Sequence, residues 1–166
     1  LRDFEDFLAG HGLWFDPASF ALHGNVRSIA GNVAVAAETV TALVLACFAE
    51  RARHFEAIDG AVQALNRLAG DAQVVLLSNL PAEAAEDRRH NLTGLGLGFP
   101  LIVNSGPKGP AVRLLAERAG TPAVFIDDSP SFIASAREHA PEVALVHFLR
   151  SEEHTSELQS RLHLVC

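Results

Sequence analysis

The 166 residues contain no methionine, two cysteines and no apolar run long enough to cross a bilayer, and each scarcity removes a class of protein. Cys47 stands alone inside an apolar helical pattern and Cys166 lies at the far end, so neither a disulfide framework nor a thiolate metal site can be drawn. A reducing cytoplasm suits such a chain. The longest apolar stretches are interrupted by Glu, Arg or Gly well short of the ~20 residues a membrane span needs, so no membrane partner is expected. Basic residues are outnumbered, 13 Lys and Arg against 20 Asp and Glu, for a net charge of −7. No Lys/Arg cluster interleaves with aromatics, which argues against nucleic acid as a partner. Gly94-Leu95-Gly96-Leu97-Gly98 lacks the G-x-G-x-x-G spacing of a dinucleotide loop, and neither a P-loop nor a G-x-S-x-G elbow occurs. His54, His90, His139 and His147 are scattered without ligand spacing and read as surface or helix-end residues.

The two ends are read separately from the rest. The chain opens on Leu1, and Arg150 to Ser160 resembles the in-frame translation of a sequencing adapter. Residues 150–166 are therefore expected to be a non-native tail and are set aside from fold reasoning, with a native polar tail as the alternative. That tail holds two basic residues, Arg150 and Arg161, and three acidic ones, Glu152, Glu153 and Glu157, so without it the net charge is −6 rather than −7. The remaining residues suffice for about one ordinary domain.

Along the chain the pattern divides at about residue 58. Phe4, Phe7 and Leu8 fall at helical spacing, a loop follows through Gly10, Gly12, Asp16-Pro17 and Gly24, and apolar residues recur at helical spacing from Val33 to Phe55. Residues 1–58 thus read as a helical segment, in which Trp14, Phe15 and Phe20 pack together. Asp59-Gly60 opens a short helix through Leu65 and Leu68 that stops at Gly70, as a glycine C-cap would stop it. From there strands and helices alternate. Val74 to Leu77, Leu101 to Val103, Ala123 to Ile126 and Val143 to Phe148 read as strands; Pro81 to Leu92, Pro110 to Ala119 and Pro130 to His139 read as helices. Apolar strands alternating with amphipathic helices predict a parallel sheet covered on both faces over residues 59–149.

Ligands bind beyond the carboxyl ends of strands in open parallel sheets, and three polar features fall at that edge. Ser78-Asn79 follows the first of these strands. Lys108 precedes the helix that starts near Pro110. Asp127-Asp128 closes the strand Ala123 to Ile126. Adjacent carboxylates repel, so a strand that delivers two of them has a compensating cation to hold, magnesium being the commonest hard oxygen-seeking ion. Each feature also has a plain structural explanation. Ser78 can be a turn residue, Lys108 a solvated charge, and Asp128 or Ser129 the N-cap before Pro130, which leaves Asp127 unexplained.

In order and placement, Ser78-Asn79, Lys108 and Asp127-Asp128 resemble motifs two, three and four of the haloacid dehalogenase-like hydrolases, over about Gly60 to Phe148. The resemblance implies a three-layer α/β/α Rossmann-like parallel sheet, with residues 1–58 as a small helical cap. It implies that Ser78 donates to a phosphoryl oxygen, Lys108 neutralises another, Asn79 helps orient the substrate, and Asp127 with Asp128 holds Mg2+. The substrate class it implies is a small phosphorylated metabolite. The family's first motif, a strand ending Asp-x-Asp that supplies the nucleophile, has no counterpart, because Asp3-Phe4-Glu5-Asp6 follows no apolar strand. That strand, central in the family's sheet, is expected upstream of Leu1, which makes this chain an inactive fragment. A dehalogenase and a catalytically silent relative binding a ligand or protein are the alternatives. A response-regulator receiver is disfavoured, since there the acidic pair comes first and the lysine last.

Overall fold

The computed structural model describes residues 2–17 and 21–149. Phe4, Phe7 and Leu8 share one side of helix α1 (Arg2–Gly10) because helical residues three and four apart lie one above the other. Gly12, at φ 69°, turns the chain into β1 (Leu13–Phe15), which pairs antiparallel with β2 (Val26–Ser28). This ribbon corrects the expectation of a loop from Gly10 to Gly24. Its three-residue strands alternate as a pleat requires, Phe15 inward and Trp14 outward, so Trp14 is exposed rather than packed with Phe15. Phe20 lies outside the described residues. Helix α2 (Ala37–Arg51) is shorter than the expected Val33 to Phe55. Its N-terminal neighbours are extended, and Ala34 bridges Arg27 of β2. Leu8, Phe15, Val26 and Val40 form one apolar cluster from these elements.

The first of two compact units runs from Leu1 to Asn104 and continues with a second cluster. Ala52, Leu80, Ala84, Leu92, Leu97 and Leu101 meet here, brought together by α3 (Ala61–Leu68), β3 (Leu76–Asn79), a 3-10 turn at Ala82–Ala84, α4 (Ala85–Gly94) and β4 (Leu101–Asn104). The turn after α2 is fastened by Asn91, which is buried and donates its Nδ2 hydrogens to the carbonyl oxygens of Arg53 and Phe55 at 2.9 and 3.0 Å. Arg88 donates to the Asn91 side-chain oxygen and stacks over Phe55; burial pushes its guanidinium below the ordinary range. Gly70 does not cap α3 as expected. The left-handed residue is Gly60, at the helix start, and α3 closes on Ala69 in a right-handed conformation. β3 begins two residues later than expected, because its ladder is set by β4: Leu76 N–H donates to Pro100 O, and Ser78 and Asn79 fall opposite Val103 and Asn104.

The second unit runs from Ser105 to Cys166, and its described part ends at Leu149. Helices α5 (Gly109–Ala119) and α6 (Pro130–His139) pack on each other, and α6 also covers β5 (Val124–Asp127) and β6 (Ala144–His147), which pair in parallel. Pro110 and Pro130 sit in the first turns of their helices, where a missing N–H costs nothing. Gly120, at φ 62°, caps α5. Residues 150–166, the expected non-native tail, lie outside the described residues.

Two findings bear on the expectation of one sheet covered on both faces. The described residues are mixed α/β with six α-helices, and among them the parallel strands pair as β3 with β4 and β5 with β6. On β5 and β6, Val124, Ile126 and Val146 are exposed apolar residues, 62%, 51% and 44% accessible. They share the face opposite Phe125 and Leu145, since successive side chains alternate between faces. Among the described residues α6 packs on this pair of strands, and the face that carries Val124, Ile126 and Val146 stays exposed.

Candidate active site

The chain's one lysine is not at the surface. Lys108 immediately precedes α5, its side chain is 10% exposed, and its Nζ donates to Oδ2 of Asp127 at 2.7 Å; the Asp127 side chain is 7% exposed. Lys108 is therefore no solvated charge. Asp127 closes β5, and its other oxygen, Oδ1, accepts the Ser129 N–H at 2.8 Å. Ser129 is the N-cap residue of α6, yet its own side chain makes no capping bond and instead shares a hydrogen bond with Ser131. Asp127 thus fixes the turn into α6 and meets the lysine at once. Two buried opposite charges in contact offset the loss of hydration only when further hydrogen bonds satisfy them. The Ser129 N–H does this for the carboxylate. For the ammonium, the Phe132 ring lies below it, with 4.7 Å between Nζ and the ring centroid.

Asp128 differs from its neighbour. It is exposed, and its backbone oxygen accepts a hydrogen bond from Nε2 of His147, whose residue pairs with Asp127 across the ladder. That bond assigns the hydrogen to Nε2, leaving Nδ1 as acceptor in the neutral ring. In the first unit, Ser78 and Asn79 end β3, and Oδ1 of Asn79 accepts from Nδ2 of Asn104 at 2.7 Å. The residues singled out from the sequence therefore divide: Lys108, Asp127 and Asp128 are brought together in the second unit, and Ser78 and Asn79 stand with Asn104 in the first.

The oxygen chemistry of Asp127 and Asp128 fits a hard cation. Each carboxylate oxygen of Asp127 takes one N–H and retains a further lone pair. Among the described residues no group of three or more His, Cys, Asp or Glu converges, so an ion here would complete its shell with water and substrate oxygens, as magnesium does. The compensating cation that the structure itself provides for Asp127 is the Lys108 ammonium.

Asn104 and Phe132 were not singled out from the sequence, and His147 was read there only as a surface or helix-end residue. Asn104 and His147 stand at carboxyl ends of strands, but only the ladder register brings them opposite Asn79 and Asp127. Compared with protein-family models, curated proteins and solved structures, the chain matches none. No helix among the described residues is long and apolar enough to cross a membrane.

Proposed function

We propose that the chain is part of a magnesium-dependent hydrolase of the haloacid dehalogenase-like kind, a phosphatase of a small phosphorylated metabolite that works through an aspartyl-phosphate intermediate. The observation that supports it best is the burial of the only lysine against Asp127 at the carboxyl end of a parallel strand. A phosphoryl group carries several negative oxygens, so a site for it needs positioned donors and positive charge rather than much covalent chemistry. In this reading Lys108 donates to one phosphoryl oxygen beside the start of α5, whose backbone dipole adds positive potential. Ser78 donates its hydroxyl to another, and Asn79, held by Asn104, orients the substrate. Asp127 and Asp128 would hold Mg2+, which when bound neutralises charge on the transferring group. The reading takes the fold to be a three-layer α/β/α parallel sheet whose first strand ends Asp-x-Asp; β3 and β5 each have an unpaired edge among the described residues.

A catalytically silent, ligand-binding relative is the second reading. The ion pair favours it, since Lys108 already meets the charge of Asp127 and neither group needs a substrate to be satisfied.

Both are tested on the purified chain with magnesium. Turnover of p-nitrophenyl phosphate is not expected, because Ser78 and Lys108 stabilise charge but do not attack phosphorus. Binding of magnesium with tungstate, a phosphate mimic, is expected by titration calorimetry and should weaken in Asp127→Asn. If the folded chain binds neither, the phosphatase reading falls. Turnover that Ser78→Ala or Asp127→Asn abolishes would place the nucleophile within this chain and overturn the expectation that it lies upstream.

A further inference from the structure

Two neighbours define where the Lys108 ammonium sits: Oδ2 of Asp127 at 2.7 Å and the Phe132 ring centroid at 4.7 Å. A lysine ammonium is a compact charge on a flexible four-carbon stem, and one hydrogen bond leaves it free to swing about its acceptor. A ring face supplies a second, independent direction, because its negative quadrupole attracts the cation. The placement of that ring is not incidental to Asp127. The Ser129 N–H that binds Asp127 Oδ1 belongs to the residue whose carbonyl accepts the Phe132 N–H at 3.1 Å. One turn therefore sets the carboxylate and the aromatic ring together. Phe132 is also only half-buried: it walls a cleft of about 410 Å³ with Pro107, Ala134, Ser135 and His139.

We propose that Phe132 is a positioning residue for Lys108, its ring face holding the ammonium so that the remaining N–H donors are directed at an oxyanion. The oxyanion part rests on the phosphatase reading; the placement of the ammonium does not. Leucine would supply apolar bulk without a ring face, whereas tyrosine and tryptophan keep one, so a packing role and a cation-holding role give different results.

The full chain makes the test direct, since its single lysine gives a single ammonium signal in a proton–nitrogen correlation spectrum. In the wild type, Phe132→Tyr and Phe132→Trp, that signal is expected to be sharp and slow to exchange with water; in Phe132→Leu it should broaden or vanish while the circular dichroism spectrum is kept. Tungstate affinity in the presence of magnesium should fall about tenfold in Phe132→Leu, the order expected of losing a desolvated cation from a ring, and be restored in Phe132→Tyr. Should Phe132→Leu fail to fold, Phe132→Met replaces it as the ringless variant. A ringless variant that keeps both the sharp signal and the affinity overturns the proposal, as does equal loss in the tyrosine variant. If the wild type binds no tungstate, the phosphatase reading falls and the ammonium signal alone decides the role of Phe132.

Discussion

A Cβ atom added to Gly109 would stand 2.1 Å from the backbone oxygen of Ser135, and the Gly109 N–H donates to Ser135 Oγ at 3.0 Å. Helices α5 and α6 therefore meet backbone to backbone directly beside Lys108.

Gly109→Ala should accordingly destabilise the protein by about 1–3 kcal/mol or more, the cost of overpacking a close contact whose obstacle is backbone and cannot rotate away. Gly98→Ala, with nothing within 4 Å of its added carbon, is the control and should be close to neutral. Urea unfolding of the two variants makes the comparison, and equal midpoints would show that the helices can separate at no cost.

Removing one partner of the buried ion pair leaves the other charge without its partner. Lys108→Met and Asp127→Asn should each cost about 3–5 kcal/mol, whereas the two replacements together should cost clearly less than the sum of the single losses. The check is a double-mutant cycle by chemical denaturation at neutral pH. Additive losses would mean that the two groups do not interact in solution.

Cys47 is 2% exposed on α2, and burial pushes its thiol above its ordinary value of 9.0. The folded state thus keeps the proton longer than the unfolded state. Below pH 9 this contribution to stability is complete, and it is lost as pH rises through the unfolded value toward the folded one. In a Cys166→Ser background, iodoacetamide should modify native Cys47 far more slowly than the urea-unfolded chain, and Cys47→Ala should flatten the alkaline fall in stability.

The apolar face of β5 and β6 predicts association. Ile126 and Val124 are more than half exposed on a strand that has an unpaired edge among the described residues, the combination that invites pairing between molecules. Ile126→Lys should raise the concentration at which light scattering begins without lowering the unfolding midpoint. A drop in midpoint would show that Ile126 is covered in solution.

Helix α6 was legible to the residue, because Ser129 and Pro130 mark a start and the amphipathic run ends on His139. β3 was not: Val74 to Leu77 is a continuous apolar run, and nothing within it says which residues pair until Pro100 and Leu101 arrive from elsewhere in the chain. The β1–β2 ribbon escaped for a related reason, three residues being too few for an alternation to stand out between Gly12 and Pro17. At the site, the acidic pair and its place at a strand end could be read directly. The burial of Lys108 could not, since its partners Asp127 and Phe132 lie 19 and 24 positions away and are brought to it by the packing of α5 on α6. The expectation of one sheet covered on both faces treated four strands as a single layer, and register and exposure are properties of pairs that a run of apolar letters does not carry.

The lone lysine has a chemical consequence for the whole molecule. Every other Lys or Arg position is arginine, and tyrosine is absent, so Lys108 is the only side-chain amine and no phenol accompanies it. A reagent that acylates amines therefore meets one enclosed side-chain target, which the folded chain should yield far more slowly than the urea-unfolded one.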